Sequence, residues 1–103
     1  MKNNIIVKRE DGTQYNIDVS IGIDHSTVYF DICVTYRKKG KRSWLHIPTI
    51  GTHEYRRLSM DDRRKHTYQT CLKYVTDDEI KQCIDKLTSN INDEISNQRK
   101  ELT

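Results

Sequence analysis

Alanine is absent from this chain of 103 residues, proline occurs once, and glycine occurs four times. So little glycine and proline excludes collagen-like and flexible low-complexity classes. No apolar run approaches the ~18 residues of a membrane span. The first apolar run is only Ile5, Ile6 and Val7, too short for a signal-peptide core. The three cysteines, Cys33, Cys71 and Cys83, form no Cys-x-x-Cys pair, so neither a zinc ribbon nor a redox motif is supported. An odd count without a secretory segment is expected of free thiols in a reducing cytoplasm. Cys71 and Cys83 read as small buried hydrophobes on helices. A metal site built from the cysteines with His46, His53 or His66 lacks the short ligand pairs of structural zinc, so no cofactor is expected.

The apolar residues that are present follow clear periods. Ile5 and Val7 share one parity in a strand over Asn4 to Arg9, and Asp11-Gly12 follows as a turn. Tyr15, Ile17, Val19, Ile21 and Ile23 then alternate with Gln14, Asn16, Asp18, Ser20 and Asp24, as in a strand with one wet face. A two-residue Asp-Gly loop would pair Ile6 with Ile17. A three-residue loop bulged at Gly12 or Thr13 keeps a cleaner apolar face, and the expected pairs are Ile5 with Val19 and Val7 with Ile17. Asp24-His25-Ser26 is the next turn. Val28, Phe30, Ile32, Val34 and Tyr36 form the apolar side of a third strand. A two-residue Lys39-Gly40 loop sets Val34 opposite Leu45, Ile32 opposite Ile47, Arg37 opposite Arg42 and Lys38 opposite Lys41. Pro48 ends strand four, because it cannot donate to a ladder.

Thr49 to Leu58 reads as a connector. Ser59 is placed as the N-cap of a helix running to about Val75, which buries Met60, Tyr68, Cys71, Leu72 and Val75. Thr76-Asp77-Asp78-Glu79 is a capping box, opening a second helix toward Glu101 with Ile80, Ile84, Leu87, Ile91 and Ile95 on one stripe. The expected fold is α+β: a four-stranded antiparallel meander over 1–48, then a two-helix segment over 59–101 packed on one sheet face. All of it forms one domain.

Charge is uneven. Residues 1–36 carry three basic and five acidic side chains, residues 37–76 carry eleven and three, and residues 77–103 carry four and seven. The net charge of +3 is therefore made of −2, +8 and −3. One cationic cluster is Arg37, Lys38, Lys39, Lys41 and Arg42, followed by Trp44, which could stack a base or an arginine. A solvated hairpin tip with lysines that deter edge pairing is the plainer alternative. The second cluster is Arg56, Arg57, Arg63, Arg64 and Lys65, bracketing a helix start, and arginine suits bidentate phosphate contact. The alternative there is local pairing of Asp61 and Asp62 with Arg64 and Lys65.

These eleven residues are the expected contacts of a non-enzymatic binding module for RNA or another single-stranded nucleic acid. A protein-binding inhibitor of a nuclease or ribonucleoprotein is the alternative, and a dimer seam on the last helix is a further reading. His25-Ser26-Thr27 and His46-Ile47-Pro48-Thr49 match a two-histidine phosphoesterase poorly, and no spacing gives His46, His53 or His66 a second catalytic group. Gly-rich phosphate loops, metalloprotease motifs and nucleophile elbows are missing. With twelve isoleucines, no alanine and a cationic middle, the chain resembles small bacteriophage accessory proteins. That group includes anti-defence proteins such as anti-CRISPRs and the RNA-binding toxin inhibitors of T-even phages. The resemblance implies a role inside an infected host cytoplasm.

Overall fold

The computed structural model describes residues 2–101. Four antiparallel strands are followed by three helices: β1 (Lys2–Lys8), β2 (Gln14–Asp24), β3 (Thr27–Arg37), β4 (Leu45–His46), α1 (Thr52–Arg56), α2 (Met60–Cys71) and α3 (Asp77–Glu101). The strands lie in the order of the chain. This is the α+β meander that the alternation requires.

The β1–β2 and β3–β4 hairpins keep the expected face but not the expected partners. In the first, Ile5 lies opposite Ile17 and Val7 opposite Tyr15. The loop is the three-residue bulged kind: Arg9 N–H donates to Thr13 at 2.8 Å, Gly12 N–H donates to Arg9 at 3.0 Å, and Gly12 has φ +88°. Because it begins directly after Arg9, every pair sits two residues from the expected register. A shift of two leaves side chains on their original faces. In the β3–β4 hairpin, Tyr36 lies opposite Leu45 and Thr35 opposite His46. The turn at Lys39-Gly40 forms, with Lys41 N–H donating to Lys38 at 3.0 Å and Gly40 at φ +77°. Two further residues are then taken up before the ladder resumes. Arg37 therefore does not face Arg42. It donates to Gln14 at 2.6 Å and stacks on Trp44 at 4.7 Å, which removes a cation–cation contact.

The core is one layer between sheet and helices. Ile17, Val19 and Val34 from the sheet meet Cys71, Val75, Ile80, Cys83 and Leu87, with Ile47 sealing one side. Cys83 directs its thiol at the backbone oxygens of Asn3 and Ile17. All three cysteines are free thiols. The capping box forms in both directions: Thr76 N–H donates to Glu79 at 2.9 Å, and Glu79 N–H donates to the Thr76 hydroxyl at 3.1 Å. The same Glu79 receives both terminal nitrogens of Arg9, at 2.8 and 2.7 Å. That pair ties the end of β1 to the start of α3.

Three details depart from the sequence expectation. The connector contains α1, a single short turn of helix with no side-chain cap. The helix capped by Ser59, whose hydroxyl accepts from Asp62 at 3.1 Å, stops at Cys71 rather than Val75. Met60 and Leu72 are exposed, not buried. The radius of gyration, 16.2 Å, exceeds the ~13 Å of a compact chain this long. The far end of the β2–β3 hairpin stands clear of the helices, with Ile23, Val28 and Phe30 exposed by 72%, 65% and 41%.

Candidate nucleic-acid interface

The fold divides the eleven cationic and aromatic candidates by task. Arg63 is turned inward. Its guanidinium donates to the backbone oxygens of Tyr55 (3.1 Å) and Arg56 (3.0 Å) and lies 5.1 Å from the Tyr55 ring. It caps the carbonyl end of α1, where unpaired C=O groups attract a cation. Arg64 pairs with Asp61 at 2.9 Å and covers the Tyr29 ring at 3.9 Å. Tyr29 in turn lies on Gly22, where any Cβ would come within 2.4 Å of the ring. Arg37 and Trp44 occupy one another, as described above. The base-stacking face expected of Trp44 is thus partly taken up inside the molecule.

The cations left facing water are Lys38, Lys39, Lys41 and Arg42 on the β3–β4 turn, Arg56 and Arg57 at the end of α1 and its C-cap, and Lys65 on α2. Lys39 lays its stem over Gly12, and Lys38 stands close enough to Asp11 to help stabilise that carboxylate. Asp11 is held below the usual carboxylate range chiefly by hydrogen bonds from Thr13. Lys41 and Arg42 have no ion-pair partner among the described residues, and neither do Arg56, Arg57 and Lys65.

The two clusters do not merge. Arg64 shares a surface recess with His25 and Thr27, at the opposite end of β3 from Lys38. Ten residue steps of strand separate those ends, roughly 33 Å. The same separation keeps His25 apart from His46, which pairs with Thr35 near the other end.

The sequence brought the cysteines together with His46 and His66 only as a metal set, and gave no sign of the pocket that gathers them with Tyr55. A pocket of about 330 Å³ opens where β3, β4, α1 and α2 meet. Its walls bring together Cys33, His46, Tyr55, His66 and Cys71 from four elements and the loops beside them. No spacing rule links these positions. The only sequence hint is that cysteines and histidines are scarce enough to notice. Burial drives the Cys71 thiol up to about 11, and Cys33 beside it adds to the effect. Cys33 itself is raised by burial and by Asp18 and Asp31. Thr70 donates to the His66 backbone oxygen at 2.9 Å and lies 3.4 Å from its Nε2. Among the described residues no three His, Cys, Asp or Glu side chains are grouped to hold a metal ion. Among the same residues, no helix is long and apolar enough to cross a membrane.

No family model matches this chain, and no curated protein or solved structure matches it.

Proposed function

We propose that the protein is a binding module for single-stranded nucleic acid, RNA foremost, with no catalytic step of its own. Lys38, Lys39, Lys41 and Arg42 contact phosphates, and Arg56, Arg57 and Lys65 supply a second group of contacts. The single observation that carries this reading is four cations within five consecutive residues, all exposed on one turn. A sheet edge needs far fewer lysines to discourage pairing. Concentrated positive charge on a chain of nearly neutral total is the electrostatic footprint of a polyanion site. Arg37 and Trp44 support that turn from below instead of binding directly. The phage-type composition suits an inhibitor acting on a host ribonucleoprotein by occupying its RNA.

The test is anisotropy of a labelled single-stranded RNA across a salt series. Four to seven phosphate contacts on a single strand give a log–log salt slope of about −3 to −5. Affinity then falls roughly 60- to 1,000-fold between 50 and 200 mM salt. Absence of salt-sensitive binding at micromolar protein removes the proposal.

A second reading rests on a different observation. Ile23, Val28 and Phe30 form an exposed apolar hairpin end, which marks protein contact more than nucleic-acid contact. In that reading the chain inhibits a host protein directly. Capture of the same partner with and without nuclease treatment separates the two. A partner kept after RNA removal favours direct inhibition, and loss of every partner counts against it.

A further inference from the structure

The pocket between the cationic clusters has a composition unlike either of them. No Lys, Arg, Asp or Glu lines it. A phosphate or carboxylate would lack a counter-charge there, so the group it takes is uncharged. Its volume, about 330 Å³, lies at the lower limit of small-molecule sites, enough for one ring system and its immediate attachment. The floor is apolar, formed by Ile32, Val34 and Ile47. Around it stand polar groups that hydrogen-bonding leaves idle. The hydroxyls of Thr52 and Thr67, the Tyr55 phenol and the His46 imidazole have no partner among the described residues. Both donors and acceptors are available in that set.

Tyr55 adds a stacking surface. It borders this pocket and a second, wider recess on its other side. Arg63, which stacks on Tyr55, lines only the wider recess. Arg63 braces the ring, and no aromatic ring among the described residues stacks on it. A neutral planar heterocycle with edge donors and acceptors fits such a wall, and stacking on an aromatic ring is how single-stranded bases are held.

Chain geometry sets the pocket beside both cationic groups. His46 is four residues past Arg42, so their backbones are at most about 14 Å apart. Tyr55 directly precedes Arg56 and Arg57, and Lys65 directly precedes His66. We infer that the pocket is a nucleobase site. It receives one unstacked base from a strand whose phosphates run from the β3–β4 turn toward α1. The inference rests on the nucleic-acid reading given above.

The experiment compares a labelled ribo-12-mer with a sugar–phosphate 12-mer that carries no bases. Two variants block the pocket from independent walls: Thr52→Phe at the exposed start of α1, and Thr67→Phe on α2. Thermal melting identifies any variant that fails to fold, and the other then decides. The expected result is that the protein prefers the base-bearing strand by about tenfold or more. A folded blocking variant loses that preference and binds the abasic strand as before. Equal binding of the two strands overturns the base site while leaving phosphate binding intact. So does a folded variant that keeps the preference. If neither strand binds, the nucleic-acid reading fails and the base site falls with it.

Discussion

Replacing Glu79 by glutamine removes one charge from the joint between β1 and α3 and leaves the cap largely in place. The new side chain would still accept from the Thr76 N–H, since an amide oxygen serves at the third position of a capping box. What disappears is the ion pair with Arg9. The Arg9 guanidinium, aided by the Thr76 N–H, holds the Glu79 carboxyl at about 2, down from 4.5. A displacement of that size corresponds to at most about 3 kcal/mol at neutral pH. Arg9 keeps 34% of its side chain in water, against 16% for Glu79, so screening reduces the expected destabilisation to about 1–2 kcal/mol. For a domain of this size that lowers Tm by roughly 5–15 °C. The pH dependence has a definite sign. A carboxyl depressed in the folded state contributes its full stabilisation above its unfolded value near 4.5. That contribution shrinks as pH falls and is gone below the folded value of about 2. Circular-dichroism melts of both proteins at pH 7, 4.5, 3 and 2 should therefore show a gap that closes on acidification. A gap under 2 °C at pH 7, or one that stays constant down to pH 2, would show that the Arg9–Glu79 pair does not hold this joint.

Two further predictions concern the core and the far hairpin end. At pH 8 a thiol-alkylating reagent should modify exposed Cys33 first. Buried Cys71, with its thiol near 11, and Cys83, also raised by burial, should react only after denaturation. Mass spectrometry of the folded protein reads this directly, and equal labelling of all three contradicts the packing. Gly22→Ala forces Tyr29 off its seat, because the new Cβ would lie 2.4 Å from the ring. The expected cost is about 1–3 kcal/mol, with lost order around Arg64, and an unchanged denaturation midpoint would show that the stack is unimportant.

Alternation in β2 and β3, the Ser59 cap, the Thr76–Glu79 box and both glycine turns were legible because each depends on residues close in sequence. Parity was legible too, but register was not. A period of two fixes the face of Ile17 or Leu45, whereas a displacement of two residues, which changes every partner, leaves the pattern untouched. One extra step before a bulge, or two residues absorbed after Lys41, is decided by local backbone geometry. α1 escaped because five residues carry too little periodicity. The exposure of Ile23, Val28 and Phe30 escaped because an apolar face says nothing about how far its covering helices reach.

The site was half legible for a related reason. Charge density found the turn at Lys38 to Arg42. It could not show that Arg37, Arg63 and Arg64 would be drawn onto Trp44, Tyr55 and Tyr29, since those contacts join separate elements. Nor could it gather Cys33, His46, Tyr55 and His66 around one pocket. The candidates that remain outward are fewer than the sequence offered, and they lie on either side of that pocket.

The most direct test of nucleic-acid binding is a salt titration of single-stranded RNA affinity for the protein and for a Lys39→Gln, Lys41→Gln, Arg42→Gln triple variant. None of the three side chains has a partner that the core depends on, so the variant should melt as the parent does. The slope should become shallower by about 2, at roughly 0.7 for each phosphate no longer neutralised. The complex should also be at least tenfold weaker at 100 mM salt. An unchanged slope and affinity in the folded triple variant would contradict it.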